Sequence, residues 1–390
     1  MKAELDFAAE QRFRATYRIA ESDETAAREI AHDIAVEQTV EVPLDCVPKQ
    51  LIAQRLIAEI ETVTPVPGGF DVLLSFRDDL PSPGAAGLLN VIFGNVSLKS
   101  GIRLVGLELS PRLEAEFAGP LLGIDGVRAL LGAHDRPLTA TAIKPIGLPV
   151  GDLACLAEGY AAGGIDIVKD DHNLIDQRLS RFAERVPRLQ EAVTRANART
   201  GYKAAYVPMI AGRFEELDAQ FERARAEGIQ LVMTAPLLVG PDLVRGLAAR
   251  HGLGIMAHPS FAGAALGSLG QGISPGVLLG TLFRLFGADI SIFPNVGGRF
   301  DVSAGDCRDI STALRAPFGR IKPALPSPAG GMGLDHIAAM VSAFGHDTVL
   351  LIGGALLRHS PDPLVSAAAF REAVEACTTA PRHALASARA

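Results

Sequence analysis

The densest group of chemically capable side chains is Lys169-Asp170-Asp171-His172, which directly follows the apolar run GIDIV. Residues 169 and 171 share one face of an extended segment, because side chains alternate along a strand. If a lysine at this place is enclosed in a cavity, it must lose its charge, either through a lowered pKa or through covalent change. If Lys169 reacts with CO2 to form a carbamate, it supplies, with Asp171, the hard oxygen donors that Mg²⁺ prefers. The alternative for this charged run is a solvated loop.

Two further residues close apolar runs elsewhere in the chain. Lys144, in AIKP, is a candidate general acid or base whose pKa a neighbouring cation or metal would lower. His258, in MAHPS, is a candidate for a polar group over substrate hydroxyls or for a second proton carrier. The alternatives are a surface lysine and a packed core histidine.

Paired glycines follow the last two apolar runs, at Gly330-Gly331 and Gly353-Gly354. Glycine pairs are commonly turns, but many barrels bind phosphate through backbone N–H groups in the loops after strands seven and eight. Both pairs at these places predict a substrate that carries one phosphate. Asn295 ends another of the runs and is a candidate substrate-binding residue.

The elements that must position these residues form a regular series from about Leu138 onwards. Short β-branched runs end in polar, glycine or proline clusters, and an amphipathic helical stretch such as Phe214–Glu227 or Pro363–Ala376 follows each one. The eight runs are LTATAIKP, GIDIVKDDH, KAAYVPMI, IQLVMTAP, LGIMAHP, ADISIFPN, GRIKPALPSPAGG and TVLLIGGAL. Repeated strand–helix units require parallel strands, and eight of them suit a closed barrel. An open doubly wound sheet is the rival, but no glycine-rich dinucleotide fingerprint follows the first run.

The first third of the chain has a different pattern, typical of a small α+β unit. Arg12–Ile19 alternates like a half-buried strand, and residues Ser22 to Val36 read as a helix. Further strands are expected at Ile60–Thr64, Phe70–Phe76 and Ile102–Leu109, with a helix at Ala85–Phe93. We therefore predict a (β/α)8 TIM barrel at residues 126–390, preceded by a smaller ferredoxin-like α+β domain at residues 1–125.

Composition excludes several classes of protein. The chain has 390 residues, of which 48% are hydrophobic, and 37 Lys and Arg against 44 Asp and Glu give a net charge of −7. This balance predicts neither a nucleic-acid partner nor a membrane partner. Four dispersed cysteines, with no apolar signal segment at the start and no long apolar span, favour a reduced, cytoplasmic protein.

Several longer motifs resemble one family, the ribulose bisphosphate carboxylase (RuBisCO) large chains, and more closely the non-carboxylating RuBisCO-like (form IV) proteins. The motifs are GGIDIVKDDHN at 163–173, DRPLTATAIKP at 135–145, ADISIFPNVGGRF at 288–300, PSPAGG at 326–331, LLIGGALL at 350–357 and LLNVIFGN at 88–95. The block around Lys169 with its AIKP partner is the most specific of these.

The resemblance implies a role for each matched position. Lys169 would be the CO2-carbamylated lysine, with Asp171 and His172 as the other ligands of Mg²⁺, and Lys144 would move protons in enolisation. His258 would be an active-site histidine, and the backbone of Gly330, Gly331, Gly353 and Gly354 would bind phosphate. Asn95 would reach into the barrel of a neighbouring subunit, as would the acidic Glu37, which implies a homodimer or a higher multiple of dimers.

The chain also departs from the carboxylase pattern. Ile146 replaces the second lysine of the Lys-Pro-Lys motif, and Arg299 is an inexact stand-in for the lysine of the loop after strand six. Pro259 and Ile292 replace an arginine and a histidine of the second phosphate site. A phosphate oxygen buried beside them would stay unpaired, at a cost of about several kcal/mol. The sequence therefore predicts a monophosphate substrate and no CO2 fixation.

The ligand position His172 carries a glutamate in the carboxylases, and imidazole tolerates Mn²⁺ better than carboxylate does. This change favours a decarboxylase or transcarboxylase acting on a 3-oxo sugar acid phosphate such as 3-oxo-isoapionate 4-phosphate. The alternative is a methionine-salvage enolase or isomerase acting on methylthioribulose-type phosphates. Both reactions pass through an enediolate. A Schiff-base aldolase using Lys169, and a non-catalytic sugar-phosphate-binding protein, are the rivals from other classes.

Overall fold

The computed structural model describes residues 11–53, 55–268 and 270–379. The first ten residues, on which the expectation of no signal segment partly rests, lie outside this range. In the described part of the chain, none of the helices combines the length and the apolar character needed to cross a membrane.

The amino-terminal part is built around an antiparallel sheet with the strand order β4-β1-β3-β2. The alternating burial of β1 places Phe13, Ala15, Tyr17 and Ile19 in the core, as the period of two requires. The helix α1, followed by the short α2, joins β1 to β2, and α3 joins β3 to β4, so the topology is the ferredoxin-like βαββαβ arrangement, as predicted. The strands are β1 (Arg12–Ile19), β2 (Glu59–Val66), β3 (Gly69–Arg77) and β4 (Ile102–Glu108), and the helices are α1 (Glu24–Glu37), α2 (Lys49–Ala53), α3 (Ala85–Phe93) and α4 (Pro111–Ala115).

Helix ends in this domain have identifiable caps. The Asp23 carboxylate accepts the Ala26 N–H at the start of α1, so this helix begins two residues later than the sequence predicts. At α3, the cap comes from the other domain, because Asp242 accepts the N–H groups of Ala85 and Ala86, both at 2.9 Å. This contact fastens the small domain to the barrel.

The second part is the predicted barrel, and each of the eight runs contains one strand. The strands are β5 (Leu138–Ala142), β6 (Ile167–Lys169), β7 (Ala205–Val207), β8 (Leu231–Thr234), β9 (Gly254–Ala257), β11 (Ala288–Pro294), β12 (Leu325–Ala329) and β13 (Val349–Leu351). They pair in parallel as two four-stranded sheets, β13-β5-β6-β7 and β12-β11-β9-β8. A parallel bridge between Met209 and Met233 joins β7 to β8, and β12 packs beside β13, which closes the ring.

The helices between the strands cover the barrel. They are α5 (Gly123–Leu131), α6 (Val150–Ala162), α7 (Phe182–Thr200), α8 (Phe214–Ala226), α9 (Pro236–Val239), α10 (Pro241–His251), α11 (Ala262–Leu266), α12 (Phe283–Leu285), α13 (Ala304–Arg315), α14 (Ile337–Phe344), α15 (Gly354–His359) and α16 (Pro363–Thr379). A π-helical turn, Gly276–Leu282, precedes α12, and short 3-10 turns lie at Leu44–Cys46, Asn95–Leu98 and Leu334–His336. Large apolar residues such as Met233, Met256 and Ile290 fill the interior, so the barrel is a packed core.

Two features join the barrel to the first domain. Helix α5 packs Ile124, Val127 and Leu131 into the interior cluster of the barrel, and it spans residues 125 and 126, where the sequence predicts a domain boundary that stays a prediction. The short strand β10 (Gly272–Ile273) leaves the barrel and pairs in parallel with β4, so it adds a fifth strand to the amino-terminal sheet. A strand of two residues has no pattern from which to predict it.

Candidate active site

The carboxyl ends of the barrel strands surround a cavity of about 1050 Å³. Ten of the thirteen candidate residues line it: Lys144, Lys169, Asp171, His172, His258, Arg299, Gly330, Gly331, Gly353 and Gly354. Residues up to 210 positions apart in sequence are brought together because parallel strands all end at the same rim.

Lys169 is the last residue of β6 and its side chain is buried at the floor of the cavity. Its Nζ donates to the backbone oxygen of Asp170 at 3.0 Å. Burial lowers the pKa of Lys169 to about 8, against the attraction of Asp171 and with the help of the Lys144 charge. An appreciable share of this amine is therefore neutral near neutral pH, as nucleophilic attack on CO2 requires.

Asp171 is the acidic centre of the site. Its carboxylate accepts hydrogen bonds from Lys144 and, at 3.1 Å, from the Asn173 N–H, and Nδ1 of His172 lies 3.0 Å away. Partial burial opposes ionisation, but the bonds from His172, Lys144 and Asn173 lower the pKa of Asp171 well below its usual range. Asp171 is therefore an anion at the edge of the cavity.

Asp170 has a different role, because its side chain lies on the opposite face of the chain. It is fully buried and accepts hydrogen bonds from Tyr206 Oη at 2.8 Å, from the Met209 N–H at 3.1 Å and from Arg185 Nε at 3.2 Å. The guanidinium of Arg185 also donates to the backbone oxygens of Leu174 and Ile175. This network holds the loop that follows β6.

Two histidines stack at the cavity wall. The rings of His172 and His258 have centroids 4.7 Å apart and are nearly parallel, with 2° between their planes. Nδ1 of His258 lies 2.8 Å from Ser260 Oγ and 3.2 Å from the Ser260 N–H. Burial, with the nearby charges of Lys169 and Lys144, lowers the pKa of His258 to about 2, so its imidazole is neutral.

The first glycine pair lies under the loop that follows β11. Gly330 and Gly331 have φ values of 95° and 105°, where a side chain would be strained. A Cβ at Gly331 would lie 2.7 Å from Arg299 Cγ, and the Arg299 N–H donates to the Gly330 oxygen at 2.6 Å. Glycine is therefore required for the loop to lie this close.

The second pair lies beside Lys144, whose Cε would be 3.6 Å from a Cβ on Gly353. Arg358, on α15, also lines the cavity, and it is not among the residues that the sequence motifs predict. It lies one helical turn after Gly354, and this spacing predicts that the two residues share one face of the helix. Within the described residues, the guanidinium groups of Arg299 and Arg358 have no hydrogen-bonding or ion-pair partner.

The cavity lining also includes apolar residues, which belong to the loop after β9 and to β11 and its neighbours: Pro259, Leu266, Leu279 and Ile292. Pro259 and Ile292 occupy the positions where the resemblance implies that two phosphate donors are lost. The cavity is thus lined by cationic side chains beside the glycine pairs and by apolar ones around β9 and β11.

Three candidates do not line the cavity. Asn95 and Glu37 lie in the first domain, where the Asn95 amide donates to Glu37 at 3.0 Å and Asn95 borders a separate small cleft with Gln38 and Asn90. Asn295 is buried, with its amide nitrogen 3.3 Å from the sulfur of Met332, a residue of the cavity lining. The substrate-binding role of Asn295 stays a prediction, as does the role of the exposed Asn95 in a neighbouring subunit's site.

The side chains that could coordinate a divalent metal ion decide whether such an ion fits the cavity. Among the described residues, no cluster of three or more His, Cys, Asp and Glu side chains converges as a metal site. Asp171 and His172 therefore need a third donor, and the buried Lys169 is the adjacent group. A carbamate there supplies an anionic oxygen, so the residues fit Mg²⁺ or Mn²⁺ once Lys169 has reacted with CO2.

Comparison with known proteins decides the family. The model of the ribulose bisphosphate carboxylase large chain catalytic domain matches residues 123–390. The chain belongs to this family. Its motifs, its barrel and its ferredoxin-like first domain all agree with the resemblance described above.

Individual relatives place the chain among RuBisCO-like proteins. It is 41% identical to ribulose bisphosphate carboxylase-like protein 1 of Rhodopseudomonas palustris, over 89% of this chain and 93% of that one. It is 39% identical to 5-methylthioribulose-1-phosphate isomerase of Rhodospirillum rubrum, over 89% of this chain and 91% of that one. The crystal structure of a RuBisCO-like protein from Rhodopseudomonas palustris superposes with a TM-score of 0.85 and 38% identity, covering 94% of this chain and 98% of that one.

Proposed function

We propose that this RuBisCO-like protein is an enzyme that enolises a phosphorylated ketose, as an isomerase or enolase of the methylthioribulose-phosphate type, and that it does not fix CO2. The observation that carries the proposal is the single cavity in which buried Lys169, ionised Asp171 and His172 face Lys144 and the glycine pairs. A proton-moving group, a metal-ligand set and a phosphate site are the parts that this reaction needs.

Lys169 prepares the metal site. Its neutral amine would attack CO2, with a C–N bond forming as one C–O π bond of CO2 breaks and one proton leaves, and the carbamate oxygens would complete the donor set of Asp171 and His172. A divalent ion held by these three residues would supply Lewis-acid stabilisation of negative charge that develops on the substrate. His172 in place of an anionic ligand would leave more positive charge on the ion.

Lys144 is placed to move the proton. It contacts Asp171 on one side and lies beside the Gly353 backbone on the other. This position lies between the metal-ligand set and the phosphate site, so a carbon next to the substrate carbonyl is within its reach. As a neutral amine, Lys144 would take a proton from that carbon, which gives the enediolate and the Lys144 ammonium, and return of the proton to the neighbouring carbon gives an isomer.

The lining of the cavity favours a substrate with one phosphate and an uncharged end. Backbone N–H groups of the glycine pairs and the guanidinium of Arg358 suit one phosphate. The apolar wall at Pro259, Leu266 and Ile292 suits an uncharged end rather than a second phosphate. This division supports a monophosphate with an apolar tail, as does the similarity to the isomerase of Rhodospirillum rubrum.

A second candidate function is decarboxylation or carboxyl transfer on a 3-oxo sugar acid phosphate such as 3-oxo-isoapionate 4-phosphate. The observation that favours it is the presence in the cavity of two arginines, Arg299 and Arg358, whose guanidinium groups have no hydrogen-bonding or ion-pair partner among the described residues. One could bind the phosphate and the other the carboxylate. Loss of CO2 from such an acid leaves the same enediolate.

The test is a panel of sugar monophosphates in D2O, followed by NMR, with Mg²⁺ and bicarbonate present. Enolisation predicts deuterium at the carbon next to the carbonyl, or an isomer, for a methylthio sugar phosphate. CO2 release from a 3-oxo acid phosphate alone would favour the second candidate. Turnover only of a bisphosphate would contradict both.

Two controls separate the remaining alternatives. A Schiff-base aldolase would be trapped on Lys169 by borohydride with substrate and would resist EDTA, whereas the proposed enzyme is inhibited by EDTA. A binding protein would bind the sugar phosphates without any exchange. Lys144→Met should bind substrate but lose exchange, because the proton-moving group is removed while the glycine pairs and Arg358 remain.

A further inference from the structure

The loop after β9 contains a local hydrogen-bonded turn at the edge of the cavity. The backbone of His258 is fixed at the end of the barrel strand, where its N–H donates to the Thr234 oxygen at 2.8 Å. Two residues later, the N–H and the hydroxyl of Ser260 both face Nδ1 of the His258 ring, at 3.2 and 2.8 Å. Ser260 itself also lines the cavity.

The direction of these hydrogen bonds determines which ring nitrogen of His258 carries a proton. A backbone N–H can only donate, so the nitrogen that receives it must be unprotonated. A neutral imidazole with an unprotonated Nδ1 carries its single proton on Nε2.

We propose that Ser260 is a positioning residue that holds His258 as the Nε2–H tautomer, so that His258 serves the reaction as a hydrogen-bond donor to a substrate oxygen and not as a base. This inference rests on the proposed function for the identity of the reaction, and on the geometry of residues 258–260 for the tautomer.

In this tautomer, His258 can donate a hydrogen bond but cannot accept a proton. Nδ1 is occupied by Ser260, and Nε2 already carries a proton, so neither nitrogen is free to take one from carbon. Nε2 has no hydrogen-bonding partner within the described part of the chain, and the ring lines the cavity. An N–H fixed there is suited to the oxygen that becomes negative in the enediolate, because a preorganised donor needs no reorganisation. Proton transfer is then left to Lys144.

The stacked ring of His172 supports the fixed orientation. The two rings lie face to face, 4.7 Å apart, and His172 is held by its own contact with Asp171. A 180° flip of His258 would keep the stacking but would lose both contacts to Ser260. The serine contacts, rather than the stacking, therefore select which nitrogen carries the proton.

The first measurement is the tautomer itself. Protein labelled with ¹⁵N in the histidine rings is studied by NMR, and the His258 signals are assigned by their loss in His258→Gln. We expect a protonated Nε2 and an unprotonated Nδ1. A protonated Nδ1, or an equal mixture of tautomers, would overturn the proposal, whatever the substrate of the enzyme.

The second measurement is kinetic, with the substrate identified by the D2O panel. Ser260→Ala should lower kcat by about tenfold, the effect of one weakened oxyanion donor, with little change in KM. Ser260→Thr, which keeps the hydroxyl, should restore most of it, and Ser22→Ala on the exposed surface should behave as wild type. The ¹⁵N spectrum of Ser260→Ala should show partial population of the other tautomer.

The outcomes separate this inference from the proposed function. An Nε2–H tautomer with no exchange on any sugar phosphate would count against the proposed reaction alone. Exchange by the wild type with an unchanged kcat in Ser260→Ala would overturn the positioning role alone. A Ser260→Ala protein with lowered kcat that Ser260→Thr does not rescue would do the same.

Discussion

At the scale of single residues, the run Lys169–His172 shows how three neighbours take three roles. The alternation of an extended chain sends Lys169 and Asp171 to the cavity and Asp170 to the core, where Tyr206 and Arg185 pair with it. The period of two predicts the shared face of Lys169 and Asp171, but the sequence does not predict that Asp170 is buried with Tyr206 and Arg185. It does not predict the Ser260 contact to His258, which depends on the bend of a loop.

The first prediction concerns Lys169. Mn²⁺ binding, measured from the EPR signal of the free ion, should strengthen when bicarbonate is added to the wild type. Lys169→Met should show no bicarbonate-dependent binding, because Asp171 and His172 alone provide too few donors. Lys203→Met, which removes the same charge at an exposed position, should match the wild type. Equal Mn²⁺ affinity with and without CO2 would refute the carbamate.

The second prediction concerns Arg358. Arg358→Gln should weaken competitive inhibition by inorganic phosphate by about 10- to 100-fold, because one charge-assisted hydrogen bond contributes about 1.5–3 kcal/mol. Arg308→Gln, an exposed arginine on α13, is the matched control. An unchanged inhibition constant in Arg358→Gln would exclude this arginine from the phosphate site.

At the scale of elements, the eight barrel strands were predictable because strands covered on both faces read as short continuous apolar runs. β1 was predictable for the opposite reason, since one exposed face gives strict alternation. The sequence could not place Asn295, which ends β11 as expected but turns its amide towards Met332. Side-chain direction at a strand end depends on the neighbouring loop, and no periodicity encodes it.

The third prediction tests the element that holds the site, the loop between β6 and α7. Arg185→Met should lower the free energy of unfolding by about 3–5 kcal/mol, because it leaves the Asp170 charge buried without its partner. The double variant Asp170→Asn/Arg185→Met should recover part of this loss, since the charge is removed too.

The measurement is urea denaturation at one fixed protein concentration. Arg188→Met provides the control on the same helix, where an exposed pair with Glu184 contributes less than about 1 kcal/mol. If Arg185→Met were no less stable than this control, the network would not hold the loop.

At the scale of the whole molecule, the candidate residues divide between two places. The barrel carries the cavity, while Asn95 and Glu37 face outwards from the first domain. One chain therefore does not bring all of them together, and the resemblance to family members implies that a second copy completes each cavity.

The fourth prediction follows from that division. Asn95→Ala and Lys169→Met should each be inactive as pure proteins. Subunits of the two variants, mixed in equal amounts and allowed to exchange, should recover about a quarter of wild-type activity, since half of the dimers are mixed and each has one intact site. Activity and the fraction of mixed dimers, measured by native mass spectrometry, provide the check. Mixed dimers without activity would rule out a shared site.

The short strand β10 affects how substrate can reach the cavity. The cavity-lining residues of α11 come between β9, in the barrel, and β10, which pairs with β4 of the first domain, along the chain. Outward movement of this side of the rim would require β10 to separate from β4 in the amino-terminal sheet. We expect substrate to enter over the neighbouring part of the rim, residues 296–301 after β11, where Phe300 is 54% exposed and lies over Gly330.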